Sequence, residues 1–254
     1  MRTVDGTRTG VAVVVVAAGG GERMTSPMNK VFLLVGGKPI LARTLELFDR
    51  MPIVDSIILV ARPIDRVLCE ALVRDGAYTK VRRIVSGGAS RHASEFRGLL
   101  ALEDEVGSGL VDTVLIHDAV RPFVAPDQVE ALVVEARAMG AAILAIPAGE
   151  GLVTVADDGT VHGAGEDLWV AQTPQAFGAS LLLDAHRRAA EADFVGTDTS
   201  SVVERIGHPV SIVMGRPENI KITTSDDLLR AEFIVEEMSD GPRSAHLGPL
   251  TPRV

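Results

Sequence analysis

The chain has 254 residues, 46% of them hydrophobic and 23% charged, which is enough for one substantial core. Its net charge of −9 argues against a general nucleic-acid or membrane-surface binder, so any cations that serve an anionic ligand must be placed locally. Cys69 is the single cysteine, which excludes an intramolecular disulfide and a zinc site built on several thiolates. No apolar run reaches transmembrane length and Met1–Gly10 lacks the apolar centre of a signal peptide, so a soluble cytoplasmic protein is expected.

Residues 1–10 read as a loose leader. The apolar run Val11–Ala17 predicts a strand buried on both faces. Gly19, Gly20 and Gly21 then let the backbone turn sharply and present N–H groups to an anion, with Arg23 and Lys30 adding positive charge. The same residues also fit an ordinary strand-to-helix turn with surface charges. Val31–Val35 follow, closed by Gly36 and Gly37. Pro39 opens a helix with Ile40, Leu41, Leu45, Leu47 and Phe48 at roughly helical spacing. Strands are predicted at 56–61, 81–85, 113–116 and 142–146, and helices at 63–74, 90–103 and 126–139. This alternation predicts a mostly parallel, doubly wound sheet covered on both faces. Residues 152–162 read as a hairpin turning at Asp157-Asp158-Gly159, with no helix to cover it, and a second subunit is the simplest cover. Leu168–Ala171 resumes the sheet. A helix at 178–192, a strand at 210–214 and a helix at 225–238 complete the fold, so 11–238 reads as one domain with an arm at 147–165. The Pro- and Gly-rich stretch 239–254 reads as a tail.

Ligands of open α/β sheets bind at the carboxyl ends of the strands. This chain places there the glycine bend with Arg23 and Lys30, Gly87-Gly88, His117-Asp118 and Glu218-Asn219-Ile220-Lys221. Two carboxylates and three cations around a phosphate-shaped bend suggest phosphoryl or nucleotidyl transfer. Asp118 and Glu218 could hold Mg²⁺, which takes one or two protein carboxylates. Asp118 could equally cap a helix, and Glu218 could be a solvated surface carboxylate. The dinucleotide fingerprint and the P-loop both fail on spacing: Gly19 and Gly21 are followed by Met24, and Gly37-Lys38 by Pro39. Cys69 reads as a small core residue.

Six blocks stand in order: Ala17-Ala18-Gly19-x-Gly21-x-Arg23-Met24 with Lys30; Gly87-Gly88-x-x-Arg91-x-x-Ser94; His117-Asp118-Ala119-x-Arg121-Pro122; Gln172-Thr173-Pro174-Gln175-x-Phe177; Thr197-Asp198; and Asn219-x-Lys221-Ile222-Thr223. Together they resemble the 2-C-methyl-D-erythritol 4-phosphate cytidylyltransferase family over about Val11 to Val235. The resemblance implies a Rossmann-like fold, a homodimer joined by β-arms, and transfer of a cytidylyl group from CTP to a sugar-alcohol phosphate in non-mevalonate isoprenoid biosynthesis. It assigns catalysis to Arg23, Lys30 and Lys221, and CTP binding to Ala17, Ala18, Gly19, Gly21, Gly87, Gly88, Ser94 and Ala119. It assigns acceptor binding to Arg121, Thr173, Thr197 and Lys221, and Mg²⁺ or another divalent cation to Asp118 and Glu218. The chain departs from the pattern at Val16 and Asn29, where the family usually has proline. It also has Gly151 and Gly165 where the family usually has a threonine and an arginine that reach the acceptor phosphate from the other subunit. These departures keep open a different acceptor, such as ribitol 5-phosphate or a phosphonate, and a non-catalytic nucleotide-binding relative.

Overall fold

Strand β1 (Gly10–Val16) is buried on both faces, and its side chains divide between two cores. Val11, Val13 and Val15 join one with Ile40, Leu41, Leu45 and Phe48 of helix α1 (Ile40–Arg50). Ala12 and Val14 join the other, with Leu99 of helix α3 (Arg91–Leu100). This alternation is the period-2 geometry of a strand covered by helices on both sides. The computed structural model describes residues 3–4, 7–19, 29–163 and 167–240. Gly20, Gly21, Arg23 and Met24 of the glycine bend, Gly165 of the arm, and 241–254 of the tail lie outside the described residues.

The central sheet has seven strands. After β1 come β2 (Ser56–Ala61), β3 (Val81–Ser86), β4 (Val111–Asp118), β5 (Ala141–Pro147), β6 (Trp169–Gly178) and β7 (Ser211–Met214). They lie in the order β7-β5-β6-β4-β1-β2-β3. Every pairing is parallel except those of β6, which runs antiparallel to both β4 and β5. Its ladder with β5 is interrupted between Ala171 and Gln175. The connecting helices are α2 (Arg66–Asp75), α4 (Glu103–Gly107), α5 (Pro126–Met139), α6 (Ala179–Glu191), α7 (Thr199–Arg205) and α8 (Ser225–Asp240). The fold is thus the expected Rossmann-like, doubly wound, mostly parallel sheet.

Several boundaries differ from the sequence expectation for physical reasons. The stretch 63–74 divides into a 3₁₀ turn, Pro63–Asp65, and α2. The stretch 90–103 stops at Leu100, with α4 a separate short helix beyond it. Within the leader, Thr3–Val4 pairs with Thr7–Arg8 as a short antiparallel ladder. Lys30–Phe32 forms a 3₁₀ turn, after which Leu34–Val35 and Lys38–Pro39 make a tight hairpin through Gly36 and Gly37, both in the left-handed region that favours glycine. The arm is the expected hairpin: Val153–Val155 pairs with Val161–Gly163, and Val153, Val155, Val161, Trp169 and Val170 are exposed. Among the described residues no helix is long and apolar enough to cross a membrane.

Candidate active site

Backbone hydrogen bonds fasten each strand's outgoing segment to its neighbour. Ala17 N donates to Val60 O at 2.7 Å, Gly87 N to Ala61 O at 2.8 Å and Ala119 N to Val16 O at 3.1 Å. The carboxyl ends of β1 to β4 therefore form a common rim. A cavity of about 350 Å³ opens on it, walled by Ala17–Gly19, Lys30, Gly88–Arg91, Ser94 and Lys221.

The wall after β3 depends on two glycines. A Cβ on Gly87 would lie 2.3 Å from Ala18 Cβ, and one on Gly88 would lie 2.5 Å from Ala93 Cβ. Only glycine lets this loop pass between the end of β1 and the start of α3. Ser94 Oγ accepts from Gly88 N at 3.0 Å and donates to Ser90 O at 2.8 Å. Ser90 in turn caps α3 by accepting from Ala93 N at 3.0 Å.

Asp118, 6% exposed, stands at the end of β4 among three cations. Arg91 Nε donates to its Oδ1 at 3.1 Å, while Lys221 Nζ lies 2.8 Å and Arg121 Nε 3.6 Å from Oδ2. Burial opposes ionisation, yet Arg91, Lys221 and Arg121 together hold the carboxyl well below the usual carboxylate range. Asp118 is therefore an anion at neutral pH. Burial also lowers Arg121, against the pull of Asp118.

A second set of contacts brackets this carboxylate. Asp118 N donates to Thr173 Oγ1 at 3.0 Å, and that hydroxyl lies 3.3 Å from His117 Nδ1. His117 Nε2 lies 3.0 Å from Arg121 O, so the ring fits the tautomer that donates there and accepts from Thr173. Burial pushes His117 down to about 3, so it stays neutral. Asn219 Nδ2 donates to Thr173 O at 2.9 Å, and Arg121 Nη1 donates to Asn219 O at 2.9 Å. The loop that carries Lys221 is thereby tied to β4 and β6.

Lys30 is set from the other side. Its neighbour Asn29 is 2% exposed; Nδ2 donates to Asp65 Oδ2 at 2.7 Å and to Ala17 O at 3.3 Å. Asp65 also accepts from Arg62 Nε and Nη2 at 2.6 and 2.9 Å. Although burial opposes it, these partners lower the Asp65 carboxyl.

The profile of the 2-C-methyl-D-erythritol 4-phosphate cytidylyltransferases matches residues 11–237. The chain belongs to that family. A member from Geobacter metallireducens is 45% identical over 231 residues, covering 89% of this chain and 98% of that protein. One from Geobacillus kaustophilus is 42% identical over 228 residues, covering 87% and 95%. The crystal structure of 4-diphosphocytidyl-2C-methyl-D-erythritol synthase from Anaerococcus prevotii superposes with a TM-score of 0.78 at 29% identity, covering 90% of this chain and 96% of that one. The cytidylyltransferase from Thermus thermophilus gives 0.70 at 30% identity, covering 90% and 100%.

Asp118 apart, the described residues that the cytidylyltransferase pattern singles out fall into three groups here. Ala17, Ala18, Gly19, Lys30, Gly88, Ser94 and Lys221 line one cavity. Gly87, Ala119, Arg121 and Thr173 stand behind its wall, bonded to backbone or to Asp118. Thr197 and Glu218 are exposed. Thr197 precedes Asp198, whose side chain caps α7 by accepting from Ser201 N at 3.0 Å. Glu218 lies on the turn before Asn219. Among the described residues no three acidic, histidine or cysteine side chains gather as a ready metal cage. Three residues join the site that motif reading left without a role: Arg91 at the wall, Asn29 behind Lys30, and Glu95 behind Arg91. The Gly87–Ser94 block contained Arg91; Asn29 stood out only as a departure from the usual proline, and Glu95 only by its i,i+4 spacing from Arg91 on a predicted helix.

Proposed function

We infer that this enzyme transfers the cytidylyl group of CTP to 2-C-methyl-D-erythritol 4-phosphate, giving 4-CDP-2-C-methyl-D-erythritol and pyrophosphate in non-mevalonate isoprenoid biosynthesis. The observation that carries this reading is a family match that runs from residue 11 to 237 and includes the residues lining one strand-end cavity. An oxygen of the acceptor phosphate forms a bond to the α-phosphorus of CTP. The bond from that phosphorus to the β-bridging oxygen breaks, and its electrons leave with pyrophosphate. Negative charge grows on the phosphorus oxygens in between, and fixed cations favour that state over the ground state.

In this reading Lys30 and Arg23 flank the triphosphate, and Lys221 holds the acceptor phosphate near the line of attack. Ala17, Ala18, Gly19, Gly21, Gly87, Gly88, Ser94 and Ala119 form the nucleotide side, where backbone groups and the Ser94 hydroxyl meet cytosine and exclude the larger purines by shape. Arg121, Thr173 and Thr197 belong to the acceptor side. A divalent cation is assigned here as a companion of the triphosphate, to which Asp118 offers one buried, ionised carboxylate. Asp118, with Glu218 as a further carboxylate, would hold Mg²⁺, which would supply neutralisation of the phosphate charge. The exposed apolar row on the arm supports a homodimer through residues 147–165.

A second reading rests on Gly151, which takes a φ of +84° and offers no side chain where the family usually has threonine. It keeps the chemistry and changes the acceptor to another polyol phosphate or a phosphonate. Pyrophosphate release from CTP and Mg²⁺ over a panel of acceptors decides. Turnover with methylerythritol phosphate supports the first reading, turnover only with another acceptor supports the second, and CTP binding without turnover removes both.

A further inference from the structure

We propose that Glu95 is a positioning residue for this transfer, acting through Arg91 to set how that guanidinium is shared with Asp118. The inference rests on the cytidylyl-transfer reading of the site. Glu95 is 1% exposed, one turn along α3 from Arg91. Its Oε1 lies 2.5 Å from Arg91 Nη1, while Arg91 Nε donates to Asp118 Oδ1 at 3.1 Å. A single guanidinium at the cavity wall thus bridges a carboxylate in the helix layer and the carboxylate at the strand end. Thr199, at the start of α7, donates its hydroxyl to Glu95 Oε2 at 3.0 Å.

A buried carboxylate needs a reason to be there, because apolar packing would be less costly. Here the reason is geometry at the cavity. Arg91 is long and has rotamer freedom, and a second anion behind it removes that freedom before substrate arrives. Without Glu95, Arg91 is free to collapse onto Asp118 or to turn into the cavity, and the three-cation balance around Asp118 changes.

The titratable and charged groups near Glu95 come from α3, α6, β4 and the start of α7. Arg91 and His92 share its helix, His186 of α6 has Nε2 3.8 Å from Oε2, and Asp118 and Asp198 act on it from β4 and from the start of α7. β1 and β2 carry no ionisable residue. Of β3, Arg83 is engaged with Glu105 and Arg82 is exposed. Burial dominates and pushes the Glu95 carboxyl up to about 7, against Arg91 and the Thr199 hydrogen bond. The tether to Arg91 therefore strengthens as pH rises through neutrality.

Glu95→Gln keeps shape and removes the charge. The expected result is a kcat about tenfold lower, a KM for CTP that falls because the site gains net positive charge, and loss of the near-neutral inflection in kcat against pH. Thr199→Val removes the bond that favours the ionised form, so the inflection moves to higher pH; this variant decides if Glu95→Gln does not fold. Wild-type kcat, KM and pH profile in Glu95→Gln, or an unmoved inflection in Thr199→Val, overturns the proposal. If wild type releases no pyrophosphate with any acceptor, the functional reading fails by itself. Calorimetric CTP affinity against pH then decides on Glu95: a near-neutral step lost in Glu95→Gln supports it, and coincident curves overturn it.

Discussion

Asn29 donates to Asp65 across a 2.7 Å hydrogen bond, joining the residue before Lys30 to the 3₁₀ turn after β2. The family usually has proline at this position, which fixes a backbone angle; this chain fixes the same place through a buried amide. Asn29 also reaches Ala17 O, so one side chain relates the cavity wall at β1 to the segment carrying Lys30.

Asn29→Ala should therefore lower stability by about 1–3 kcal/mol, the cost of leaving buried partners unmet. It should also lower turnover about tenfold by loosening Lys30. Lys30→Ala should behave differently: turnover falls by roughly 10²–10³ with the fold retained. Urea unfolding and pyrophosphate release on both variants check the contrast, and a Lys30→Ala enzyme of normal turnover would refute the assigned role.

Gly87→Ala forces a Cβ to within 2.3 Å of Ala18 Cβ and 3.0 Å of Ser94 Oγ. The wall must shift, at roughly 1–3 kcal/mol of overpacking. Because both neighbours line the cavity proposed to take CTP, the expected result is a KM for CTP raised about tenfold with a smaller change in kcat. An unchanged KM would show that this wall does not contact nucleotide.

Acid stability follows from two buried histidines. His117 and His186 are each pushed down to about 3, His186 by burial first and then by His92 and Arg91. The unfolded chain binds more protons between the ordinary histidine value and about 3, so stability is present above that window and is lost as pH falls through it. Glu95 works oppositely: its raised value gives stability below the usual carboxyl range that is lost as pH rises to about 7. With two histidines against one carboxyl, unfolding midpoints in urea should drop from pH 7 to pH 5. Both ring nitrogens of His186 lack a hydrogen-bond partner among the described residues. His186→Met should therefore shrink that drop while costing less than about 1.5 kcal/mol at pH 7. Equal drops in both proteins would contradict this.

The arm supplies the last prediction. Val155→Asp places charge in the exposed apolar row, and light scattering should report a dimer for wild type and a monomer for the variant. A wild-type monomer at micromolar concentration would remove the arm interface.

Apolar patterning sufficed for β1, β2 and α5 because Val11–Ala17 and, past its serine, Ser56–Ala61 are unbroken apolar runs and Pro126–Met139 carries its buried residues at helical spacing. It did not suffice for β6. Gln172, Thr173 and Pro174 are polar or lack an N–H, so the run from Trp169 to Gly178 does not read as one central strand, and its antiparallel direction has no local signal. Helix α7 is seven residues that begin Thr-Ser-Ser, too short to show a stripe. At the site, the identity of the cations was visible in the motifs. Of the anions, Asp118 was visible too; the links that fix Asp65 and Glu95 were not, because Asp65 meets Asn29 and Glu95 meets Thr199 only after the chain has folded back over 36 and 104 residues.

The break in the β6 ladder has a consequence for the whole rim. Gln172 donates to Arg216 O at 2.8 Å, Thr173 receives the Asp118 amide, and Asn219 closes onto Thr173 O. These are crosswise links that a regular ladder would replace with pairing along the sheet. By giving up regularity at its middle, the reversed strand becomes the clasp on which an acidic strand end and a basic loop, 103 positions apart from Asp118 to Lys221, are buckled together.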